Sequence, residues 1–288
     1  MAVLYVNNNG QLLENSGFTV EAGNRGYLYG DGLFEAIRVF KGTPVNLEAH
    51  YLRLMDGAMA LKMRVPAFLT FDYFSKHIIE LVKKSQITGG GRVRFSLDRI
   101  AGGTYMPVSN ECTYFIEVYP LNESTYQLNA KGWEVDLFME MKKHKDKLSN
   151  FKTKNGLCYI MASIAAQEKE LDEYLLCNPQ GNVLEGTSSN LFVVSNGVLY
   201  TPGLEDGCLA GVMRMTVINL ALEHGIKVYE CSILPQNLLA GSELFLTNAI
   251  RGIIWVGGYR TKRYSNELTR KITDLLNQKF ELEFPSID

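Results

Sequence analysis

Two lysines stand where an amine could act as a nucleophile. Lys152 and Lys154 come directly before a run of apolar residues with helical spacing, so either side chain could point into a core. A buried lysine has a lowered pKa and becomes nucleophilic. A solvated basic stretch accounts for four further lysines just upstream: Lys142, Lys143, Lys145 and Lys147.

A single carboxylate interrupts an apolar region further along the chain. Glu185 lies between two predicted strands, in the sequence Val-Leu-Glu-Gly-Thr-Ser-Ser-Asn190. It is either a surface charge at the end of a strand or a buried partner for a cation. Both interpretations stay open from the residues alone.

Three segments are rich in glycine or polar side chains and could line a binding site. Leu209–Arg214 opens a helix, and the free N–H groups of a helix N-terminus bind anions, although an ordinary helix start fits the same residues. Thr247-Asn-Ala249 ends a strand with a hydroxyl and an amide suited to a phosphate. Arg25–Glu35 is either a turn between strands or a cleft wall, because its glycine spacing fits neither a P-loop nor a dinucleotide fingerprint.

The composition limits the class of protein. The 288 residues carry 29 Lys+Arg against 31 Asp+Glu and are 46% hydrophobic, which predicts a folded chain and argues against a nucleic-acid binder. No apolar run is long enough to span a bilayer, and the N-terminus lacks the features of a signal peptide. Four dispersed histidines suggest no metal centre, and five scattered cysteines without a C-x-x-C pair predict a reducing cytoplasm.

Periodicity predicts the elements that would position these residues. Helices are expected over 47–61, 71–84, 155–171, 211–224 and 266–280. Strands are expected over 4–6, 34–40, 92–97, 113–119, 134–139, 173–177, 190–194, 198–200, 227–230 and 244–247. Because strands and helices mix without regular βαβ alternation, the fold class is α/β of the mixed α+β kind and not a Rossmann sheet.

A change in composition predicts two domains. Residues 121–125, after Pro120, are polar and read as a linker. We therefore expect a small α/β domain over 1–120 and a large domain over 126–288.

The motifs, taken together, resemble those of the class-IV, fold-type IV pyridoxal-phosphate aminotransferases. This family includes branched-chain and D-amino-acid aminotransferases and 4-amino-4-deoxychorismate lyase. The resemblance runs from about Tyr5 to Gly258. Its segments are Arg25-Gly-Tyr-x-x-Gly-Asp-Gly-x-Phe-Glu35, His50-Tyr-Leu-Arg53-Leu, Lys152-Thr-x-Asn155, Glu185-Gly-x-x-Ser-Asn190, Leu209-x-Gly-Val-x-Arg214 and Leu246-Thr-Asn-Ala249.

This resemblance implies pyridoxal 5′-phosphate as cofactor, in a cleft between the two domains. It implies that Lys152, three residues before Asn155, forms the Schiff base and shuttles the proton. Glu185 is implied as the acid beside the pyridine nitrogen, and Arg53 as the cation for the phosphate. Further cofactor contacts are implied at Ser188, Leu209, Val212, Met213 and Asn248.

The substrate side is less determined by the motifs. Many branched-chain enzymes have a tyrosine after the asparagine, where this chain has Gly156, and the loop after the strand over 92–97 lacks the Arg-x-His pair of D-amino-acid enzymes. Arg92 and Arg94 share one strand face, which either faces solvent or binds a substrate carboxylate. The remaining substrate candidates are Tyr29, Phe34, Asn248 and Ala249.

The resemblance favours transamination between an amino acid and a 2-oxo acid in a homodimer, and the cysteine content places it in the cytoplasm. The first alternative is pyruvate elimination by an aminodeoxychorismate lyase on the same fold. The second is a protein without catalytic activity that keeps the family's cofactor pocket as a binding site. Small-molecule substrates are expected, with neither nucleic acid nor membrane as partner.

Overall fold

A computed structural model describes residues 3–284 of the chain. Contacts divide these residues into two compact units. The first comprises residues 3–125, Phe151–Asn155 and residues 280–284; the second comprises Tyr126–Asn150 and Gly156–Lys279. The chain therefore enters the first unit twice more after its N-terminal part. Among the described helices, none combines the length and apolarity that a bilayer crossing requires.

An antiparallel sheet of six strands forms the centre of the first unit, in the order β2-β1-β6-β5-β3-β4. A hairpin turn at Asn9 and Gly10, both with positive φ, joins its first two strands. The strands are β1 Tyr5–Asn8, β2 Gln11–Glu14, β3 Gly32–Phe40, β4 Thr43–Pro44, β5 Gly90–Arg99 and β6 Cys112–Leu121.

Three helices accompany this sheet: α1 Arg25–Tyr29, α2 Leu47–Ala60 and α3 Phe71–Lys84. Thr70 caps α3, since its hydroxyl accepts from the N–H of Tyr73 at 3.3 Å. Alternate strand residues such as Leu33, Ile37 and Phe95 pack with α2 and α3 in one apolar core. The opposite alternation leaves Phe34 and Arg94 on the other face of the sheet.

A nine-stranded sheet forms the second unit. Its strands are β7 Trp133–Phe138, β8 Glu173–Cys177, β9 Val183–Gly186, β10 Asn190–Ser195, β11 Val198–Thr201, β12 Val228–Glu230, β13 Glu243–Asn248, β14 Gly252–Tyr259 and β15 Lys262–Arg263. The order is β12-β11-β10-β13-β14-β7-β8-β9, with β15 beside β14. An additional pair between β9 and β10 closes six of these strands into a ring, with Glu185 opposite Asn190.

Four helices belong to the later part of the chain: α4 Leu157–Glu168, α5 Val212–Glu223, α6 Pro235–Ala240 and α7 Glu267–Glu283. The start of α7 is held by the buried carboxylate of Glu243, which accepts from the N–H groups of Leu268 and Thr269 at 2.8 Å.

The predicted helix over 155–171 is shorter, from Leu157 to Glu168, because the residues just before it bond to β3 instead. Lys154 donates its N–H to the carbonyl of Gly32 at 2.9 Å, and Phe34 donates to the carbonyl of Lys152 at 3.0 Å. Phe151–Asn155 thus acts as a short extra strand beside β3. Chain order alone does not reveal this return to the first unit.

Candidate active site

Lys152 lies on this extra strand at the start of β3. Residues Leu33 and Thr153 face each other as an isolated antiparallel bridge, which sets the register. The side chain of Lys152 is half-buried, and its Nζ lies 4.5 Å from the ring centroid of Phe34. The rival lysine is engaged elsewhere: Lys154 Nζ forms an ion pair with Asp98 Oδ1 at 2.5 Å.

Arg53 is oriented by a buried acid. Its Nε lies 2.8 Å from Glu35 Oε1, and its Nη2 lies 2.5 Å from Glu35 Oε2, a bidentate pair. His50 Nδ1 lies 2.7 Å from Glu35 Oε2. Burial raises the pKa of Glu35, but the Arg53 charge and the bonds from His50 and Arg53 outweigh it and lower that pKa to about 2.

His50 acts as a neutral donor in this group. Burial lowers the pKa of its imidazole, and Glu35 only partly opposes that effect. A carboxylate only accepts hydrogen bonds, so the ring proton belongs on Nδ1. Glu35 and His50 therefore fix the guanidinium of Arg53 from α2, a positioning role that the motifs contained but the sequence reasoning did not assign.

The two arginines of β5 differ in exposure. Arg92 is exposed, whereas Arg94 is half-buried and stacks on Phe34, with its guanidinium carbon 3.9 Å from the ring centroid. The ring of Phe34 thus contacts both Arg94 and Lys152. Tyr29 lies at the end of α1, where its ring contacts Arg25 and Tyr105 at 4.9 and 5.8 Å.

Glu185 is a buried partner for a cation and not a surface charge. Its Oε1 lies 2.5 Å from Lys143 Nζ and accepts from the Tyr159 hydroxyl at 2.9 Å. Its Oε2 accepts from the N–H of Leu209 at 2.6 Å. Only 3% of its side chain is exposed.

The assignment of Lys143 to a solvated stretch is therefore wrong, because its amine lies against Glu185 with 11% of the side chain exposed. Nothing in a run of six lysines distinguishes it. Tyr159, on the first turn of α4, was also missed. Burial first, and then the charge of Glu185, raise the pKa of this phenol, so Tyr159 remains a hydrogen-bond donor.

The start of α5 offers free backbone N–H groups, and a glycine before it allows close approach of Asn190. Val212 and Met213 are its first residues, and the first N–H groups of a helix have no intrahelical acceptor. Asn190 packs against the N-cap Gly211, where a Cβ would lie 1.9 Å from its amide oxygen. Directly opposite Asn190, the Oγ1 of Thr247 is buried and has no hydrogen-bond partner among residues 3–284.

The remaining predicted site residues of the second unit lie in two turns, one after β13 and one after β9. Asn248 Oδ1 accepts from the N–H groups of Ile250 and Arg251 at 3.0 and 2.8 Å, so its amide oxygen holds the turn after β13. The carbonyl of Ala249 accepts from the hydroxyl of Tyr126 at 3.0 Å. Ser188 is exposed in the turn after β9.

Glu173 fixes that second turn and was not singled out from the sequence. Its Oε1 accepts from the N–H and the hydroxyl of Thr187 at 3.1 and 2.5 Å. Burial raises the pKa of this carboxyl, and the bonds from Thr187 offset only part of the effect. An acidic residue opening an otherwise apolar strand was the available signal.

Known proteins resemble the chain over most of its length. A family model described as amino-transferase class IV matches residues 32–258. A Methanocaldococcus jannaschii protein, provisionally named a branched-chain-amino-acid aminotransferase, is 30% identical over 276 residues, 95% of this chain and 94% of the relative. A D-alanine aminotransferase of Bacillus licheniformis is 29% identical, covering 88% of this chain and 87% of the relative.

A branched-chain aminotransferase of Thermoproteus uzoniensis, crystallised with norvaline, has the same fold, with a TM-score of 0.90 and 26% identity over 98% of this chain and 96% of that one. Aminodeoxychorismate lyases also occur among the relatives. The chain belongs to the class IV aminotransferase family. It is an aminotransferase of fold type IV, and its cofactor is pyridoxal 5′-phosphate.

The residues present fit this cofactor. A carboxylate offers about four acceptor positions, and three contacts occupy Glu185, which leaves one for a protonated ring nitrogen. The buried hydroxyl of Thr247 and the start of α5 offer donors of the kind that a phosphate takes. Among the described residues, no group of histidine, cysteine and acidic side chains is placed to hold a metal ion.

Proposed function

We propose that this chain moves an amino group between an amino acid and a 2-oxo acid, with Lys152 as the amine that carries the cofactor. The observation that supports Lys152 most directly is its place on the strand beside β3. There its amine lies over the same aromatic ring as Arg94, while Lys154 is held by Asp98. The ion pair of Lys154 with Asp98 and the place of Lys152 beside Arg94 together favour Lys152 as the reactive amine.

The cofactor, when bound, supplies an electron sink for the bonds at the substrate Cα. The Nζ of Lys152 is the group we assign to take the proton from that carbon and return it. Glu185, paired with Lys143 at 2.5 Å, would accept the hydrogen bond of the protonated ring nitrogen. Tyr159 and the N–H of Leu209 hold this carboxylate in place.

We assign the phosphate to donors from several elements. Arg53 would supply the positive charge, oriented by Glu35. The N–H groups of Val212 and Met213 add the partial charge of a helix start. Hydrogen bonds would come from the side chains of Ser188 and Asn248, to which the unpaired hydroxyl of Thr247 adds a candidate that the sequence analysis did not name individually.

Arg94 is our candidate for the substrate carboxylate, because it is half-buried against Phe34 whereas Arg92 is exposed. A charge-assisted bond contributes about 1.5–3 kcal/mol, so Arg94→Leu should raise the apparent KM for an amino acid about 10- to 100-fold. An amine without a carboxylate should be affected far less. Steady-state kinetics on both substrates measures the difference, and Arg92→Leu is the matched control that should behave like the parent enzyme.

If both arginine variants handle amino acids like the parent, neither binds the carboxylate. The backbone at Asn248 and Ala249, together with Tyr29, would then be the next candidates. The absorbance band of the bound cofactor should be the same in all three proteins, because neither arginine is assigned to the cofactor.

One experiment tests the activity itself and separates it from its alternatives. The purified protein is mixed with a panel of D- and L-amino acids, and conversion of the cofactor band to the pyridoxamine form is followed. Conversion with an amino acid, reversed by a 2-oxo acid, supports transamination. Pyruvate release from aminodeoxychorismate without an amino acceptor would indicate a lyase, and a protein that holds no cofactor would indicate the silent alternative.

We also propose that the chain forms a homodimer. Helix α4 exposes an apolar stripe at positions spaced three or four residues apart, and its other face packs on the second unit. Exposed apolar faces of this kind mark association sites. The stripe consists of Leu157, Ile160, Met161 and Ile164.

Sedimentation of the full chain tests this surface. Placing glutamate at both Ile160 and Ile164 should shift the protein from dimer to monomer, because burying two charges costs several kcal/mol. As a control, Leu282→Glu changes another exposed apolar residue and should leave the dimer intact. A double variant that stays dimeric would place the interface elsewhere.

We further propose that the enzyme works in the cytoplasm. The support is that all five cysteines are free, as expected in a reducing compartment. Fractionation of the native cells, with an antibody against this chain, tests the location.

A further inference from the structure

The carboxylate of Asp98 joins three pieces of the first unit. It is 1% exposed at the end of β5, and its Oδ1 lies 2.5 Å from Lys154 Nζ. Its Oδ2 accepts from the amide of Asn24 at 3.0 Å. Gly26 and Gly32 leave room for it, since a Cβ at either would lie within 2.5 Å of Asp98 Oδ1. This acid is therefore built into the fold around the extra strand.

The two lysines of that strand share one face. Thr153 pairs with Leu33, so its side chain lies on the other side from those of Lys152 and Lys154. Residues two apart in an extended chain lie about 7 Å from each other, within the range of an electrostatic effect. The net charge of Lys154 and Asp98 should therefore affect the protonation of the Lys152 amine electrostatically.

We propose that Asp98 is a positioning residue for Lys152: by neutralising Lys154 it keeps an uncompensated positive charge away from the amine that carries the cofactor. The proposal rests on the proposed function for the importance of Lys152. An uncompensated cation nearby favours the neutral form of an amine, and an uncompensated anion favours the protonated form. Asp98 therefore helps to set how much of Lys152 is a proton acceptor.

Other polar groups lie near Lys152, and the test leaves them in place. Within the first unit they are His50, on whose imidazole the charge of Lys152 acts, its neighbours Glu35 and Arg53, and Arg94, which stacks on the same ring as Lys152. Each remains unchanged in every variant below. Differences between variants therefore report on the pair of Asp98 and Lys154 alone.

Substitutions of Asp98 and of Lys154 are expected to shift the pKa of Lys152 in opposite directions. Asp98→Asn leaves Lys154 uncompensated and should lower the pKa of Lys152, because a second positive charge nearby disfavours the protonated amine. Lys154→Gln leaves Asp98 uncompensated and should raise the pKa of Lys152, because a nearby negative charge favours the protonated amine. The double variant should restore the parent value.

The measurement uses the full chain freed of cofactor. Acetic anhydride labels neutral amines, so the extent of labelling from about pH 7 to about pH 11 gives the pKa of each lysine. Chymotryptic peptides, fragmented in a mass spectrometer, distinguish Lys152 from Lys154. Lys131 is exposed and serves as an internal reference that should not change.

The proposal is supported if the pKa of Lys152 shifts in opposite directions in the two single variants and returns to the parent value in the double variant. A merely structural disturbance would shift this pKa in the same direction in both single variants. Equal values in all four proteins, or shifts of one sign, would overturn it. Should Asp98→Asn not fold, Lys154→Gln and the double variant still decide the outcome. Failure of the proposed function is distinguishable, because borohydride reduction of the loaded protein would then fix the cofactor to a residue other than Lys152.

Discussion

Replacing Lys152 by alanine should abolish transamination and the absorbance band of the bound cofactor. No other amine is assigned to hold the cofactor or to move the proton at the substrate Cα, and removing the acting group of such a site costs several orders of magnitude in turnover. Absorbance spectra and single-turnover kinetics with an excess of enzyme measure both losses.

Lys154→Arg is the matched control for this prediction. It lies two residues away on the same strand and keeps a positive charge for Asp98, so it should retain both the band and most of the turnover. Borohydride reduction followed by peptide mapping should place the cofactor on Lys152 in the parent protein. A Lys152→Ala enzyme with full activity would exclude the assignment.

Replacing Glu185 by glutamine should lower turnover by about two orders of magnitude or more. The amide keeps the shape of the side chain but removes the negative charge that would hold the ring nitrogen protonated, and losing one such electrostatic stabiliser costs about 10²–10³ in kcat. Cofactor should still bind, because Arg53 and the start of α5 are unchanged. Steady-state rates and a cofactor titration measure the two quantities.

A second substitution, at Lys143, separates the two ways in which Glu185→Gln could lower turnover: loss of the negative charge and loss of stability. In Glu185→Gln the amine of Lys143 loses a partner at 2.5 Å, so some loss of stability is expected as well. The double variant Lys143→Met with Glu185→Gln should recover stability but not turnover. Recovery of turnover in the double variant would mean that the single variant failed through misfolding and not through the missing charge.

Much of the fold could be predicted because its elements are regular. The bounds of α3 and β8 are confirmed at the residue, since apolar spacing, caps and turn residues agree there. Seven helices and strands of the structure were not predicted. They comprise α1, α6, β2, β4, β9, β14 and β15.

The misses have physical reasons. Helix α1 has only five residues, which is too few for periodicity to show. Strand β9 owes its definition to partners on both sides, β8 and β10, which local sequence does not contain. The prediction of a solvated Lys143 failed for the same reason, because its partner Glu185 lies 42 residues further along the chain.

The pair that closes the six-stranded ring has a consequence for how this chain can vary in length. Glu185 and Asn190 face each other across β9 and β10, and only residues 186–189 connect them. An insertion or deletion within those four residues would displace Glu185 and Asn190 together. It would also disturb the start of α5, which both side chains contact. Tolerated length variation should instead collect at turns such as Asn196–Gly197, where the glycine has open space around it. Circular permutants and peptide-tag insertions are best made at that second turn.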